Sequence, residues 1–231
     1  MLHTLIANLP YLLKGAAVTV WLSLIVLTFG TLMGTLLGLS AAVGGRPIRV
    51  LVTAYIFVLR GIPVLVVMLL GYYAFPTLGL TFGPTLGSIL GPIFGLRAGA
   101  YAAVAAAQIV YVAAFVAEIV RSAVLSVPAG QIAAAKSLGM RRAGILAHVV
   151  LPQATRLAVP PLLNNSLTAI KQTSYISVVG AWELTYAARE VVERTLAAFQ
   201  IFLGVMAIYF LICYPLSLLA RWCEKRLVVM H

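Results

Sequence analysis

The chain has 231 residues, of which 63% are hydrophobic and only 9% charged, and its mean hydropathy is strongly positive, which excludes an ordinary soluble domain and marks a membrane protein. Its formal charge of +11 comes from sixteen Lys and Arg against five Glu. In a soluble protein that balance would suggest nucleic acid; here the enrichment of basic residues in cytoplasmic loops accounts for it, and no nucleic-acid partner is expected.

Roughly 20 apolar residues at about 1.5 Å each cross a hydrocarbon core about 30 Å thick, and several runs reach that length. The first expected span covers residues 16–43, where Gly30, Gly34 and Gly38 fall on one helix face and allow another backbone to approach. No basic leader or small-residue cleavage site precedes it, so a permanent span is expected. Gly44-Gly45-Arg46-Pro47 breaks the helix, and a second span at 50–75 is interrupted by Arg60-Gly61-Ile62-Pro63, where the proline removes a helix hydrogen bond. Residues 76–97 are apolar yet rich in Gly and Pro, suited to a loop near the membrane surface or partly re-entering it.

A third span, 98–119, ends in Glu118-Ile119-Val120-Arg121, and Pro128-Ala129-Gly130 stops whatever helix continues. Residues 131–146 are too polar and short to cross, and read as one or two surface helices. A fourth span starts near Leu157 and carries Pro160, Pro161, Asn164 and Asn165 before Lys171-Gln172-Thr173-Ser174. Residues 182–194, with Glu183, Arg189, Glu190, Glu193 and Arg194, read as an exposed amphipathic helix, and a fifth span covers 196–219. With five spans, ten basic residues fall on one side and five on or toward the other, which places the 121–156 loop and the C-terminus in the cytoplasm and the N-terminus outside. The fold class is therefore an all-α membrane protein, a single unit over 1–231 with a loop at about 122–155.

Within that loop, Gly130-Gln131-Ile132-Ala133-Ala134-Ala135-Lys136-Ser137 lies one substitution from a phosphate-binding GxxxxGK[ST] loop. That loop needs a preceding strand and a glycine directly before the lysine; here a helix break precedes it and Ala135 occupies the glycine position. The window continued through Leu138-Gly139-Met140 to Leu151-Pro152-Gln153-Ala154 instead resembles the EAA motif, the cytoplasmic loop of ABC-importer permeases, through Ala134, Ala135, Gly139, Leu151 and Pro152. Ala133 stands where that motif usually has glutamate. Arg60-Gly61-Ile62-Pro63 resembles an Arg-Gly-Thr-Pro signature, and the run from Ala113 to Arg121 an Ala-Tyr-x-x-Glu-x-x-Arg pattern, of permeases for polar amino acids such as histidine, glutamine and glutamate.

The resemblance implies that Gln131, Ala133, Ala134, Ala135, Gly139, Leu151 and Pro152 couple the chain to an ATP-hydrolysing subunit, with Ala134 and Ala135 exposed and Gly139 at a turn. It further implies a second permease subunit, identical or related, two ATP-binding subunits that hold ATP and Mg, an extracytoplasmic solute-binding protein, and a bacterial inner-membrane location. No cofactor is expected in this chain.

Candidate pathway residues are Glu118, Lys171, Thr173 and Arg60. Each has a structural reading beside the functional one: Glu118 can pair with Arg121 three residues on, Lys171 can snorkel to an interface, and Arg60 can cap carbonyls freed at Pro63. Asn164 and Asn165 read as interhelical hydrogen-bonding residues, and Cys213 and Cys223 as small packing residues. His3, His148 and His231 lack ligand spacing, so no metal site is expected. Two other functions stay open: a permease of the same architecture for another small solute, and an ion-driven secondary transporter or channel subunit, against which the lack of an evident internal repeat argues.

Overall fold

A computed structural model describes residues 2–77 and 98–227; the 76–97 loop therefore falls, from residue 78 on, outside the described residues. The elements are α1 (Leu2–Val43), α2 (Arg46–Gly61), α3 (Val64–Thr77), α4 (Ala98–Leu125), α5 (Ala129–Ser137), α6 (Arg142–Ile145), α7 (Leu151–Gln172), α8 (Leu184–Thr195) and α9 (Ala198–Leu227). A π-helical turn, Leu146–Val150, joins α6 to α7, and a 3₁₀ segment, Thr173–Val179, follows α7. No strand occurs among the described residues.

The α1–α4 pair forms the centre, and the three glycines of α1 explain it. A Cβ built on Gly34 would lie 2.5 Å from Val116 Cβ and 2.6 Å from the Ala113 carbonyl oxygen; one on Gly38 would lie 2.5 Å from the Ala117 carbonyl. Only glycine lets these backbones meet so closely. Along the seam Val26, Val112, Val116 and Val120 pack with Ala105 and Ala169.

Several expected boundaries shift, each for a visible reason. Helix α1 begins at Leu2 rather than residue 16, because Leu12 and Leu5 find apolar partners on α8 and α9, including Val191, Ile201 and Val205. Helix α4 runs on to Leu125, carried past its charged residues by an ion pair that lies along its own face. Helix α7 starts at Leu151 and continues through Pro160 and Pro161 without a break. The interrupted span at 50–75 is two helices meeting at 105°. Pro63 offers no amide to the Leu59 carbonyl, and Ile62 takes an extended conformation (φ −106°, ψ 135°), so the chain turns a corner.

By length and hydropathy three described helices, α1, α4 and α9, suit a membrane crossing, and the α2–α3 pair makes up to four if counted as one span. Helix α7 is long enough, but Gln153, Arg156, Asn164 and Asn165 keep it off that set. The 182–194 segment differs most from expectation. Leu184, Ala187, Ala188 and Val191 of α8 are fully buried, and a Cβ on Gly15 of α1 would come within 2.9 Å of Leu184 Cα. Rather than lying exposed, α8 is clamped against α1 and α9.

Candidate functional site

The loop after α4 is a small platform. Pro128 caps α5, with the Gln131 amide donating to its carbonyl at 3.1 Å, and α5 ends after nine residues. The Met140 amide then reaches back to the Ala135 carbonyl at 3.1 Å and the Gly139 amide to the Lys136 carbonyl at 2.9 Å, around Gly139 at φ +73°. This is a glycine-terminated helix end, and its left-handed residue strongly favours glycine. Nothing lies within 4 Å of a Cβ built on Gly139, so a side chain there would project into open space.

Gln131, Ala133 and Ala134 are exposed, while Ala135 is 5% exposed and packs inward with Val124, Val127, Ile145, Val150 and Ala154. The expectation that Ala134 and Ala135 both face outward is therefore corrected: successive residues on a helix lie about 100° apart, and Ala135 is the small residue that lets α5 sit close to its own bundle. Leu138, passed over in the sequence, is 82% exposed beside Gly139. Its signal was available, an apolar residue at a helix end with no periodic partner. Leu151 is half-buried against α1 and α4, and Pro152 is exposed. In a continuous helix the Pro152 nitrogen would face the His148 carbonyl without a hydrogen to donate; the π-helical turn occupies the five residues up to Val150. A side-chain bond from Gln153 to Gln131 ties α7 to α5.

The pathway candidates divide. Arg60, Glu118 and Arg121 line one cavity of about 570 Å³ between α2 and α4, together with Thr53, Gly61 and Ile62. Arg121 holds Glu118 in a two-point bond, Nε to Oε2 at 2.9 Å and Nη2 to Oε1 at 2.8 Å, so the ion pair forms at its helical spacing. The Arg60 guanidinium lies over the Phe115 ring, 5.4 Å from its centroid, and is not seen capping the kink carbonyls. Lys171 and Thr173 do not line this cavity. Lys171 is exposed at the end of α7, whereas Thr173 is fully buried and donates its hydroxyl to the Ile170 carbonyl at 2.7 Å, which leaves it no free surface.

A second polar centre, not foreseen from the residue pattern, lies at the other end of α1. Glu183 is fully buried at the N-cap of α8. Its Oε1 accepts from the Tyr186 amide at 2.9 Å, and its Oε2 from Thr19 Oγ1 at 3.1 Å and the Tyr209 hydroxyl at 3.2 Å. Burial pushes its carboxyl above the ordinary range, partly opposed by these donors. Nearby, Glu190 accepts from Trp182 Nε1 at 3.0 Å and from the Tyr11 hydroxyl. Asn164 donates to Glu224 at 3.1 Å, an interhelical bond between α7 and α9, as expected for that residue. Cys213 and Cys223 are free and buried, in keeping with a packing role.

A family described as the binding-protein-dependent transport system inner membrane component matches residues 30–229. The L-cystine transport system permease protein TcyB of Bacillus subtilis (strain 168) is 33% identical over 94% of this chain and 87% of its own length. The glutamine transport system permease protein GlnP of Escherichia coli (strain K12) is 32% identical over 96% and 95%. A solved crystal structure of an amino acid ABC transporter with histidines contains a chain 31% identical, with a TM-score of 0.81 over 96% of each chain. A chain of the inward-facing MetNI methionine ABC transporter shares the fold, with a TM-score of 0.69 at 19% identity.

Proposed function

The chain belongs to the binding-protein-dependent transport system inner membrane component family, and from that premise we propose that it is the membrane-spanning subunit of an ATP-driven importer. It moves a polar amino acid or related compound into the cytoplasm by alternating access. The cargo class is supported by the relatives named for glutamine and cystine. Helix α7 is the fourth of five spans and packs against α4 and α9, with the N-terminus outside and the loop and C-terminus in the cytoplasm of a bacterial inner membrane.

The observation that carries the coupling role is the α5 tip. Ala133 and Ala134 leave a low surface, Gly139 turns the chain away, and Leu138 stands out as an apolar knob. Such a tip fits a cleft in an ATP-binding subunit, with Leu138 as the buried anchor and the small residues letting the backbones approach. Gln131, Leu151 and Pro152 act behind it: the Gln131–Gln153 bond and the π-helical turn transmit movement of the tip to α7. ATP and Mg bind in two partner subunits, a second permease subunit completes the pathway, and a binding protein delivers cargo from outside.

The test is uptake into proteoliposomes holding this chain with its ATP-binding partner. Uptake that needs ATP on the loop side and binding protein on the other, and survives collapse of ion gradients, is expected. Gradient-driven uptake without ATP would overturn the reading in favour of a secondary transporter.

A further inference from the structure

We propose that the cavity between α2 and α4 is a docking site for the α-carboxylate and α-ammonium groups common to all amino acids, with Arg60 as the carboxylate ligand. The proposal rests on the transport reading and names the chemistry of its pathway. The cavity, at about 570 Å³, falls within the ordinary size of small-molecule sites. Three ionisable side chains line it, and such groups persist in a membrane protein where they face water or protein rather than lipid.

Charge and geometry set the roles. Arg60 and Arg121 against Glu118 leave one net positive charge, and the two-point bond with Arg121 already occupies Glu118. Arg60 makes no ion pair among the described residues. Its guanidinium lies over the Phe115 ring, a contact that consumes no hydrogen-bond donor, so its planar fork stays available for a two-point bond to a carboxylate.

The ammonium has its own partners. Glu118 Oε1 accepts from both Arg121 and Ser122, but its Oε2 accepts only from Arg121 Nε and keeps a lone pair, and the Leu59 carbonyl has lost its helical donor to Pro63 at the end of α2, where the macrodipole also favours positive charge. Gly61 is exposed with nothing within 4 Å of its Cβ position, which leaves the ligand room to approach the backbone. Because these contacts read only the groups that every amino acid shares, the site holds cargo without choosing among side chains.

The test uses the full chain in lipid nanodiscs with the subunits that copurify, carrying Thr53→Cys in a background where Cys213 and Cys223 are alanine. Thr53 is exposed and lines the cavity, so a small neutral methanethiosulfonate reports occupancy through its labelling rate. The probes are an equimolar mixture of the proteinogenic L-amino acids and the matched mixture of their decarboxylated amines. Amino acids are expected to slow labelling roughly tenfold and amines far less, because the two-point charged bond is lost.

Arg60→Gln is expected to abolish the protection, and Arg60→Lys, which keeps the charge without the fork, to retain part of it. Equal protection by the amines, no protection in the parent, or full protection in Arg60→Gln overturns the proposal. The comparison of the two mixtures needs no Arg60 variant to fold. ATP-dependent uptake by the same preparation separates the two readings: uptake without protection removes the site and leaves the transport function standing, whereas protection without uptake does the reverse.

Discussion

The two ends of α1 and its neighbours use polar and small residues in opposite ways. At the loop end, Gln131, Ala133, Ala134, Leu138 and Gly139 are exposed on a short helix with few ties to the bundle. At the other end, Glu183, Thr19 and Leu184 are fully buried and hydrogen-bonded between α1 and the start of α8. An exposed apolar tip beside a left-handed glycine contributes little to folding and gains its value from a partner. A buried carboxylate with three donors contributes its value within the chain. Substitutions at the first should therefore spare folding and impair function, and substitutions at the second should do the reverse.

The largest effect sharpens that contrast at the α1–α4 seam. Gly34→Leu must displace Val116 and the Ala113 carbonyl, which lie 2.5 and 2.6 Å from its Cβ, and overpacking of this kind costs roughly 1–3 kcal/mol or more. Little folded protein should survive on size-exclusion chromatography, whereas Gly61→Leu, with nothing within 4 Å, should elute as the parent does.

Next comes Glu183→Ala, which removes a helix cap, leaves the Tyr186 amide without its acceptor and takes one acceptor from each of the Thr19 and Tyr209 hydroxyls, at a cost of about 2 kcal/mol. A thermal scan in detergent should show the loss with the loop intact. The same carboxyl predicts a pH dependence. Its folded value is raised above the ordinary one, so the folded state keeps a proton that the unfolded state has released. Its contribution is fullest below the unfolded value and is lost as pH rises through the folded one, so the parent should lose stability relative to Glu183→Gln across that window. A parent and variant that run parallel in pH would show that Glu183 is not so perturbed.

The smallest effect is Asn164→Ala, which breaks the bond to Glu224 for roughly 0.6 kcal/mol, the mean for such bonds between membrane helices. A loss several times larger would place that bond among the main supports of α7.

The glycine face of α1, the breaks at Gly45 and Pro63, and the tip at Gly139 were legible because each depends on what one residue type permits: close approach, a missing amide, or a left-handed turn. The 105° corner was not, since a proline marks a break without fixing its angle. The burial of α8 was missed because its charged residues suggested a solvated face, while Leu184, Ala187, Ala188 and Val191 form a narrow stripe that α1 covers with Leu12 and Ala16 and approaches closely at Gly15. Glu183 needed Thr19 and Tyr209, which are remote in sequence. Ala135 was misplaced because the motif treats neighbouring alanines alike, and a helix does not.

The central claim is that the α5 tip couples this chain to an ATP-hydrolysing partner. The most direct measurement is cargo-stimulated ATP hydrolysis by the reconstituted complex carrying Gly139→Asn. Asparagine tolerates the left-handed backbone and places its side chain into open space, so insertion and thermal stability should match the parent. The account predicts that stimulated hydrolysis falls by roughly tenfold or more, as expected when about 1.4 kcal/mol is lost at an interface hot spot. Full stimulation in that variant would contradict it.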